Sequence, residues 1–508
     1  MKLGFKDYKD KVRACFLGKN IGGTLGTPFE GRRGVFDVKG YTHDLSQGAL
    51  PNDDLDLQLV FLCVAERYGT KLDASILGEF WMNRIIAHWS EYGMAKCNMR
   101  LGLTPPLSGW YNNPNGDSCG CFIRSEIWAC LAPGHPEIAV KYALEDAIVD
   151  HCNEGVYGEI FTAALEAAAF VEKDREKLID IAFSYIPEDS AVAGAVKLVK
   201  KCYDDGLSWK EARIKVLNAY PSSFASIDLS KDETERGPVG RVGFDAPANI
   251  GIAMIGWYYG EGDFGKSLCI AASCGEDADC TCATLGSIFG IIGGTAAIPE
   301  EWIKPIGEEI KTLSLDLTAF RLEVCRTVTE LCDRVARLAP TFLGKDFAVS
   351  DDGAAEIVAY DDKLFNEPYH CNFGKPVKFD FKDELKRRQP WSVKVQSPVF
   401  DAFLDYCGSI EIHEGEEKEL RISAETFADR QFWANVTVYA PNDWEVLPAR
   451  NSMFLMNVRP LSSGLSSETS VTLIPHNLTE GIYRFPIEIH ITDRPTSVFI
   501  PVTLIVKK

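Results

Sequence analysis

Two short acidic segments carry the residue types that could do chemistry. Gly275-Glu276-Asp277-Ala278-Asp279-Cys280-Thr281 lies between an apolar run and a small-residue helical pattern, and brings two carboxylates to the mouth of a helix. Far upstream, Asn52-Asp53-Asp54-Leu55-Asp56 repeats the design at the start of another apolar helical segment. Hard divalent cations take carboxylate, hydroxyl, amide and water oxygens, and one pair of neighbouring carboxylates fills only half a coordination sphere. Two such helix mouths brought face to face can hold a cation between them. Each cluster alone reads equally well as an N-cap and a partner of the helix dipole.

The order of motifs separates the two readings. The stretch Gly18-Lys19-Asn20-Ile21-Gly22-Gly23-Thr24-Leu25-Gly26-Thr27-Pro28-Phe29-Glu30 precedes both clusters. It resembles the opening G-x-x-x-G-D-A-x-G-x-P-x-E segment of the ADP-ribosylglycohydrolase family. Asn52-Asp53-Asp54 then resembles the family's T-D-D element, and Asp277-Ala278-Asp279-Cys280, trailed by Ala283, Leu285, Gly286 and Gly290, resembles its G-D-x-D-[ST] element. Between them, His151 with Tyr157 and Gly158 is similar to the central Ser/Thr-His segment, and Asn249 to Phe264 to the stretch before the second acidic motif. The likeness spans roughly residues 10 to 340. Four positions depart from the pattern: Gly23 stands where the family has Asp, Asn52 where it has Thr or Ser, Leu55 where a second Thr is common, and Cys280 where a hydroxyl is usual. Asn52 still offers an amide oxygen, whereas a thiol is a poor ligand for Mg²⁺, with Thr281 the nearest hydroxyl.

The resemblance implies a metal-dependent hydrolase that cleaves the bond between an ADP-ribosyl group and an acceptor nitrogen or oxygen. It implies two ions, Mg²⁺ or Mn²⁺, held by Asp53, Asp54, Asp277 and Asp279 with Asn52 as a further ligand. Glu30 and Asp54 are the expected catalytic carboxylates, Glu30 positioning or deprotonating water. His151, Tyr157 and the polar loop Asn115, Gly116 and Ser118, with Arg124 following, are the expected substrate contacts. The partner is an ADP-ribosylated protein or small molecule. A second class of reading keeps the same frame for binding ADP-ribose or a nucleotide without turnover.

Composition bounds these readings. At 508 residues, two or three units are expected. A formal net charge of -20 argues against nucleic acid or an anionic membrane as partner. The charged start Met1 to Lys11 lacks the apolar core of a secretory signal, and no segment is long and apolar enough to span a bilayer, so a cytoplasmic protein is expected. The 16 cysteines then read as reduced thiols. Cys119-Gly120-Cys121 and Cys274, Cys280 and Cys282 lack the paired C-x-x-C spacing of a structural zinc site.

The elements that must position these residues follow from periodicity. Apolar residues at helical spacing (Val12, Cys15, Phe16; Leu55, Leu59, Leu62; Ile160, Ala163, Ala164, Ala167) predict an all-α first unit over 1–340. Further helices are expected at Ala74 to Glu91, Ile138 to Val149, Asp174 to Ile186, Ser190 to Tyr203, Trp209 to Tyr220, Ile250 to Tyr259, Phe264 to Ser273 and Leu315 to Leu338. The glycines of 18–26 lack the signature of a phosphate-binding loop, and the small residues of Gly286 to Gly294 favour close helix packing. A connector is expected at 341–390. Alternation of period two in 391–508, as in Ile487, Ile489, Ile491 and Val498, Ile500, Val502, predicts a C-terminal antiparallel β-sandwich of immunoglobulin-like kind.

Overall fold

The computed structural model describes residues 1–222, 243–318, 323–350, 353–359, 381–426, 430–457 and 467–507. The chain divides into two compact units, Met1–Lys96 with Asn112–Glu367, and Cys97–Tyr111 with Pro368–Lys508. The first unit is helical. The elements that build its site are α1 (Phe5–Gly26), α2 (Asp53–Tyr68), α3 (Ala74–Arg84), α4 (Asn153–Ala169), α5 (Ala246–Tyr259) and α6 (Ala278–Gly293). Among the described residues, no helix is long and apolar enough to cross a membrane.

One contact sets the geometry of this unit: α1 and α6 cross with their backbones touching. A Cβ placed on Gly18 would lie 2.1 Å from the carbonyl oxygen of Gly286, one on Gly22 2.1 Å from that of Cys282, and one on Gly26 2.2 Å from that of Ala278. From the other side, a Cβ on Gly290 would meet the Ala14 carbonyl oxygen at 2.2 Å. The four-residue spacing of Gly18, Gly22 and Gly26 keeps one bare stripe along α1 for more than two turns. The stripe therefore works as a helix-packing surface.

Two expected helices have different bounds. The helix expected over Ala74 to Glu91 ends at Arg84, because the chain turns extended there: Ile85 bridges Leu315, the Ile86 amide donates to the Ser314 carbonyl (2.8 Å), and the Asp316 amide donates to that of Arg84 (2.8 Å). For the same reason the helix expected from Leu315 begins only at Val328, where the Thr327 hydroxyl caps the amide of Glu330 (3.1 Å); it runs on to Leu343. Residues 319–322 of that expected helix lie outside the described residues.

The stretch expected as a connector contains two strands, Phe347–Val349 and Ala355–Val358, which pair antiparallel with each other; the second also pairs with Lys2–Gly4. Residues 351–352 and 360–380 of that stretch lie outside the described residues. Among the described residues of the second unit, nine strands form two antiparallel sheets. Numbered β1 to β9 in chain order, these are Ser392–Gln396, Phe400–Asp405, Lys418–Thr426, Phe432–Val438, Glu445–Leu447, Asn451–Met456, Glu468–Ile474, Gly481–Ile491 and Ser497–Val506. One sheet has the order β5-β7-β3-β2-β1 and the other β6-β4-β8-β9. Alternate residues such as Leu420, Ile422, Ile487, Ile489, Ile500 and Leu504 fill the core they share. Ile410 and Ile412 are buried in that core beside a single parallel bridge between Glu411 and Ile505. Leu103, Leu107 and Tyr111 also enter it, which is why Cys97–Tyr111 groups with this unit although the helical unit was expected to run unbroken over 1–340.

The crossing of α1 and α6 yields a signed prediction. Replacing a mid-helix glycine by alanine ordinarily stabilises a helix by about 1 kcal/mol. Gly22→Ala is expected to do the reverse, because its methyl must displace the backbone of α6; overpacking of this kind costs about 1–3 kcal/mol or more. Urea unfolding monitored by circular dichroism measures the difference.

Candidate active site

Three segments converge where α1 ends and α2 and α6 begin. Helix α1 runs out into the Thr27–Phe29 turn and delivers Glu30. Helix α2 starts at Asp53 because Asn52 caps it: Asn52 Oδ1 accepts from the amide of Asp54 at 2.7 Å. Helix α6 starts after Asp277, whose amide donates to Asn249 Oδ1 of α5 at 3.2 Å. The loop before Asp277 is pinned to the loop after Glu30 by a two-residue antiparallel pairing of Arg32–Arg33 with Gly275–Glu276. Buried Arg33 grips Glu276 through two bonds, Nε to Oε1 at 2.7 Å and Nη2 to Oε2 at 3.0 Å. This grip holds Glu276 at φ +62°, a left-handed conformation that a side chain ordinarily avoids.

The convergence gathers Glu30, Asp53, Asp54, Asp277 and Asp279. One oxygen each of Glu30, Asp277 and Asp279 lie within 4.8 Å of one another, and so do donor atoms of Asp54, Asp279 and Cys280. Asp53 is half-buried and accepts from the Tyr92 hydroxyl at 3.2 Å. Asp54, Asp277 and Asp279 are buried, yet Asp54 Oδ2, Asp277 Oδ1 and Asp279 Oδ1 accept no hydrogen bond from the described residues. Buried carboxylate oxygens without donors cost folding free energy unless a cation meets them. The donor set therefore fits a hard divalent ion, with Asp277 and Asp279 presenting open oxygens and Asp54 Oδ2 facing the Lys19 ammonium at 3.5 Å.

Crowding shows in the acidities. Glu30 is exposed as a residue, but its carboxyl is crowded against the frame, and this desolvation, reinforced by Asp277, Asp53 and Asp54, pushes it up to about 8. Burial also raises Asp54 to about 8, against the pull of Lys19. Asp277 and Asp279 are pushed well above the carboxylate range by burial, then by Asp279 for the first and by Glu30 and Asp54 for the second. The nearest compensating charge is Lys19, buried on α1 with its Nζ 2.8 Å from Glu126 and 3.5 Å from Asp54. Burial alone would lower its pKa; Glu126 and Asp54 outweigh that and hold it raised.

The residues that depart from the family pattern are coupled in space. Asn52 Nδ2 donates to Asp279 Oδ2 at 3.2 Å, so its amide ties the two acidic motifs together. A Cβ on Gly23 would come within 2.6 Å of that same Nδ2, so the larger Asn52 fits because residue 23 has no side chain. Cys280 Sγ lies 3.5 Å from Asp54 Oδ1, in the position of the expected hydroxyl, while the Thr281 hydroxyl is buried and bonded to the Ala278 carbonyl at 3.1 Å.

The expected substrate contacts divide. Ser118 and His151 are each 1% exposed and bonded to each other, Oγ to Nε2 at 2.8 Å, with His151 Nδ1 2.9 Å from Asp150. The order serine, histidine, carboxylate is that of a hydrolytic triad, but this depth of burial keeps the hydroxyl from substrate, and the group ties the 113–118 loop to the segment that follows the helix Pro136–Ala147. Gly116 joins the same tie through its carbonyl, which accepts from the Cys152 amide at 3.0 Å. Asn115 is half-buried and closes an Asx turn on Asn113 (3.0 Å). Tyr157 is half-buried in the second turn of α4. Arg124 is fully buried between Asp146 and Asp150; with Arg124, Asp150 is pulled down to about 2 in spite of its burial. Asp56 accepts from the amides of Leu313 and Ser314, both at 2.6 Å, which makes it a loop anchor.

Residues 5–339 match the family model described as ADP-ribosylglycohydrolase. The chain belongs to the ADP-ribosylglycohydrolase family. Among solved structures, one described as an "ADP-ribosylglycohydrolase-related protein complex" is similar at 19% identity and a TM-score of 0.42, covering 66% of this chain and 98% of that one. No curated protein matches.

Two predictions follow from the geometry. Gly23→Ala is expected to forfeit the roughly 1 kcal/mol that alanine ordinarily gains inside a helix, because its methyl displaces the Asn52 amide, and Asn52→Ser in the same chain is expected to restore that gain; thermal unfolding of the two single variants and the double variant tests the coupling. The second concerns pH. Buried Asp54 has a folded pKa of about 8, above the roughly 4 of an unfolded chain. The metal-free protein therefore loses stability as pH rises from about 4 to 8, since the folded state holds protons that the unfolded state gives up. A millimolar divalent cation is expected to raise the melting temperature more at pH 8 than at pH 5.

Proposed function

We propose that this chain is a metal-dependent hydrolase that cleaves the glycosidic bond between ADP-ribose, or a related ribosyl group, and an acceptor nitrogen or oxygen. The observation that carries the reading is the pair of buried carboxylate oxygens on Asp277 and Asp279 that accept no hydrogen bond from the described residues, with Asp54 beside them, within a family whose name describes this reaction. Asp53, Asp54, Asp277 and Asp279 hold two Mg²⁺ or Mn²⁺ ions. When bound, such ions orient the ribose hydroxyls and lower the pKa of water.

The chain's own residues supply the rest. Glu30, exposed at the mouth and with a pKa near 8, exchanges a proton near neutral pH and serves as the acid/base group. Asp54 shares the catalytic role from inside, balanced by Lys19. Asn52 orients Asp279 through its amide nitrogen, and its oxygen remains on the helix cap. Asn115 and Tyr157 are half-buried and remain candidates for substrate contact. Ser118, Gly116 and His151 shape the loop from behind. The substrate is an ADP-ribosylated protein or small molecule, and a reducing cytoplasm suits the free cysteines.

The second reading, ADP-ribose binding without turnover, is favoured by Asn52 and Cys280, which replace hydroxyl residues beside the carboxylates. Calorimetric titration of ADP-ribose with Mg²⁺ present and after chelation, paired with hydrolysis of ADP-ribosylated arginine and serine peptides, separates the two. Metal-dependent binding and turnover, both lost in Asp277→Asn, are expected. Binding without turnover on any linkage would favour the second reading, and no binding under either condition would remove both.

A further inference from the structure

The carboxylate frame has a sulfur side that the reading above does not use. Cys119 and Cys280 come from segments far apart in the chain, yet both thiols reach Asp277: donor atoms of Cys119, Asp277 and Cys280 lie within 4.8 Å of one another. All three residues are buried, and the Cys119 thiol donates to Asp277 Oδ2. Asp277 Oδ1, on the same carboxylate, accepts no hydrogen bond from the described residues. Asp277 is 2% exposed, so the open oxygen is not satisfied by bulk water. Ligands of a four-coordinate zinc-type ion stand about 3.5 Å apart, given bonds of about 2.0–2.3 Å. The three donors are thus close enough to share one ion once the hydrogen bond between Cys119 and Asp277 opens.

We propose that Cys119, Cys280 and Asp277 form a binding position for a borderline or soft divalent cation of the Zn²⁺ or Co²⁺ type, with a fourth position left open. The donor chemistry carries the choice of metal: two sulfurs and one carboxylate disfavour Mg²⁺ and suit ions that accept thiolate. Binding releases the protons of both thiols, and that held by Asp277, to solvent. The hydrogen bond from Cys119 to Asp277 opens in the process, and sulfur and carboxylate both turn lone pairs to the ion. Spacing within the sequence hides the site, because no two of its ligands form a C-x-x-C pair.

This position adjoins the hard-ion frame and rests on the reading that the frame attracts cations, so the test must separate the two. Metal-stripped, reduced, full-length protein is titrated with Co²⁺ without oxygen. A near-ultraviolet sulfur-to-cobalt charge-transfer band is expected, persisting in excess Mg²⁺. It should be lost in Cys119→Ser and in Cys280→Ser, and unchanged when exposed Cys97 is replaced by Ser. Circular dichroism of the metal-free variants checks their folding, and X-ray absorption on the zinc-loaded wild type counts sulfur neighbours without any substitution. Co²⁺ bound with no sulfur band, or a band that survives both substitutions, would overturn the thiol site while leaving the carboxylate frame intact. Failure of Co²⁺ and Mn²⁺ alike to bind would remove both.

Discussion

The backbone contact between α1 and α6 is the constraint on which the rest of the helical unit depends. Two helices whose axes approach this closely can carry no side chains along the seam, and Gly18, Gly22, Gly26, Gly286 and Gly290 meet that requirement. The consequence is positional. Because Gly26 sits against Ala278, the end of α1 and the start of α6 are locked together, and the residues that follow the one and precede the other are brought side by side. Glu30 and Asp277 are neighbours for that reason, although their segments lie far apart in sequence.

Against that packing stands the electrostatic cost of what it assembles. Five carboxyl groups share one small region, three of them buried, and the raised pKa values of Glu30, Asp54, Asp277 and Asp279 express how poorly the metal-free protein tolerates their charge. Lys19 relieves part of it from the α1 side. The rest is held in place mechanically: the Arg33–Glu276 grip, the Asn249 bond to the Asp277 amide and the Asn52 bridge to Asp279 fix the carboxylates where repulsion would otherwise part them. A preorganised frame of crowded carboxyl groups supports the cation-binding reading proposed above.

The departures from the family pattern become intelligible in the same terms. Gly23 and Asn52 are one change distributed over two positions, because the space that a side chain at 23 would fill is the space that Asn52 occupies. Cys280 is likewise not isolated, since Cys119 and Asp277 stand beside it. These departures fit one another, and Cys280 with Cys119 adds sulfur beside the carboxylates.

Much of this was legible in the sequence. The helical and period-two patterns follow from local chemistry, and so the helical unit and the antiparallel sheets could be read directly; the four aspartates could be named as candidates through the order of the motifs. Thr327-x-x-Glu330 was an equally local signal for the true start of the last long helix of this unit. A lysine four residues after Cys15, on the apolar face of α1, marked Lys19 as a buried charge in want of an acid. Tertiary structure alone decided the rest: that Ile85 leaves its helix to pair with Leu315, that Ser118 and His151 are sunk out of reach, that Cys97–Tyr111 joins the β unit, and that Cys119 meets Cys280 across Asp277. The physical reason is range. Capping and periodicity act within a turn or two of helix, whereas a ligand set is closed by packing between segments whose separation along the chain carries no information about their distance in space.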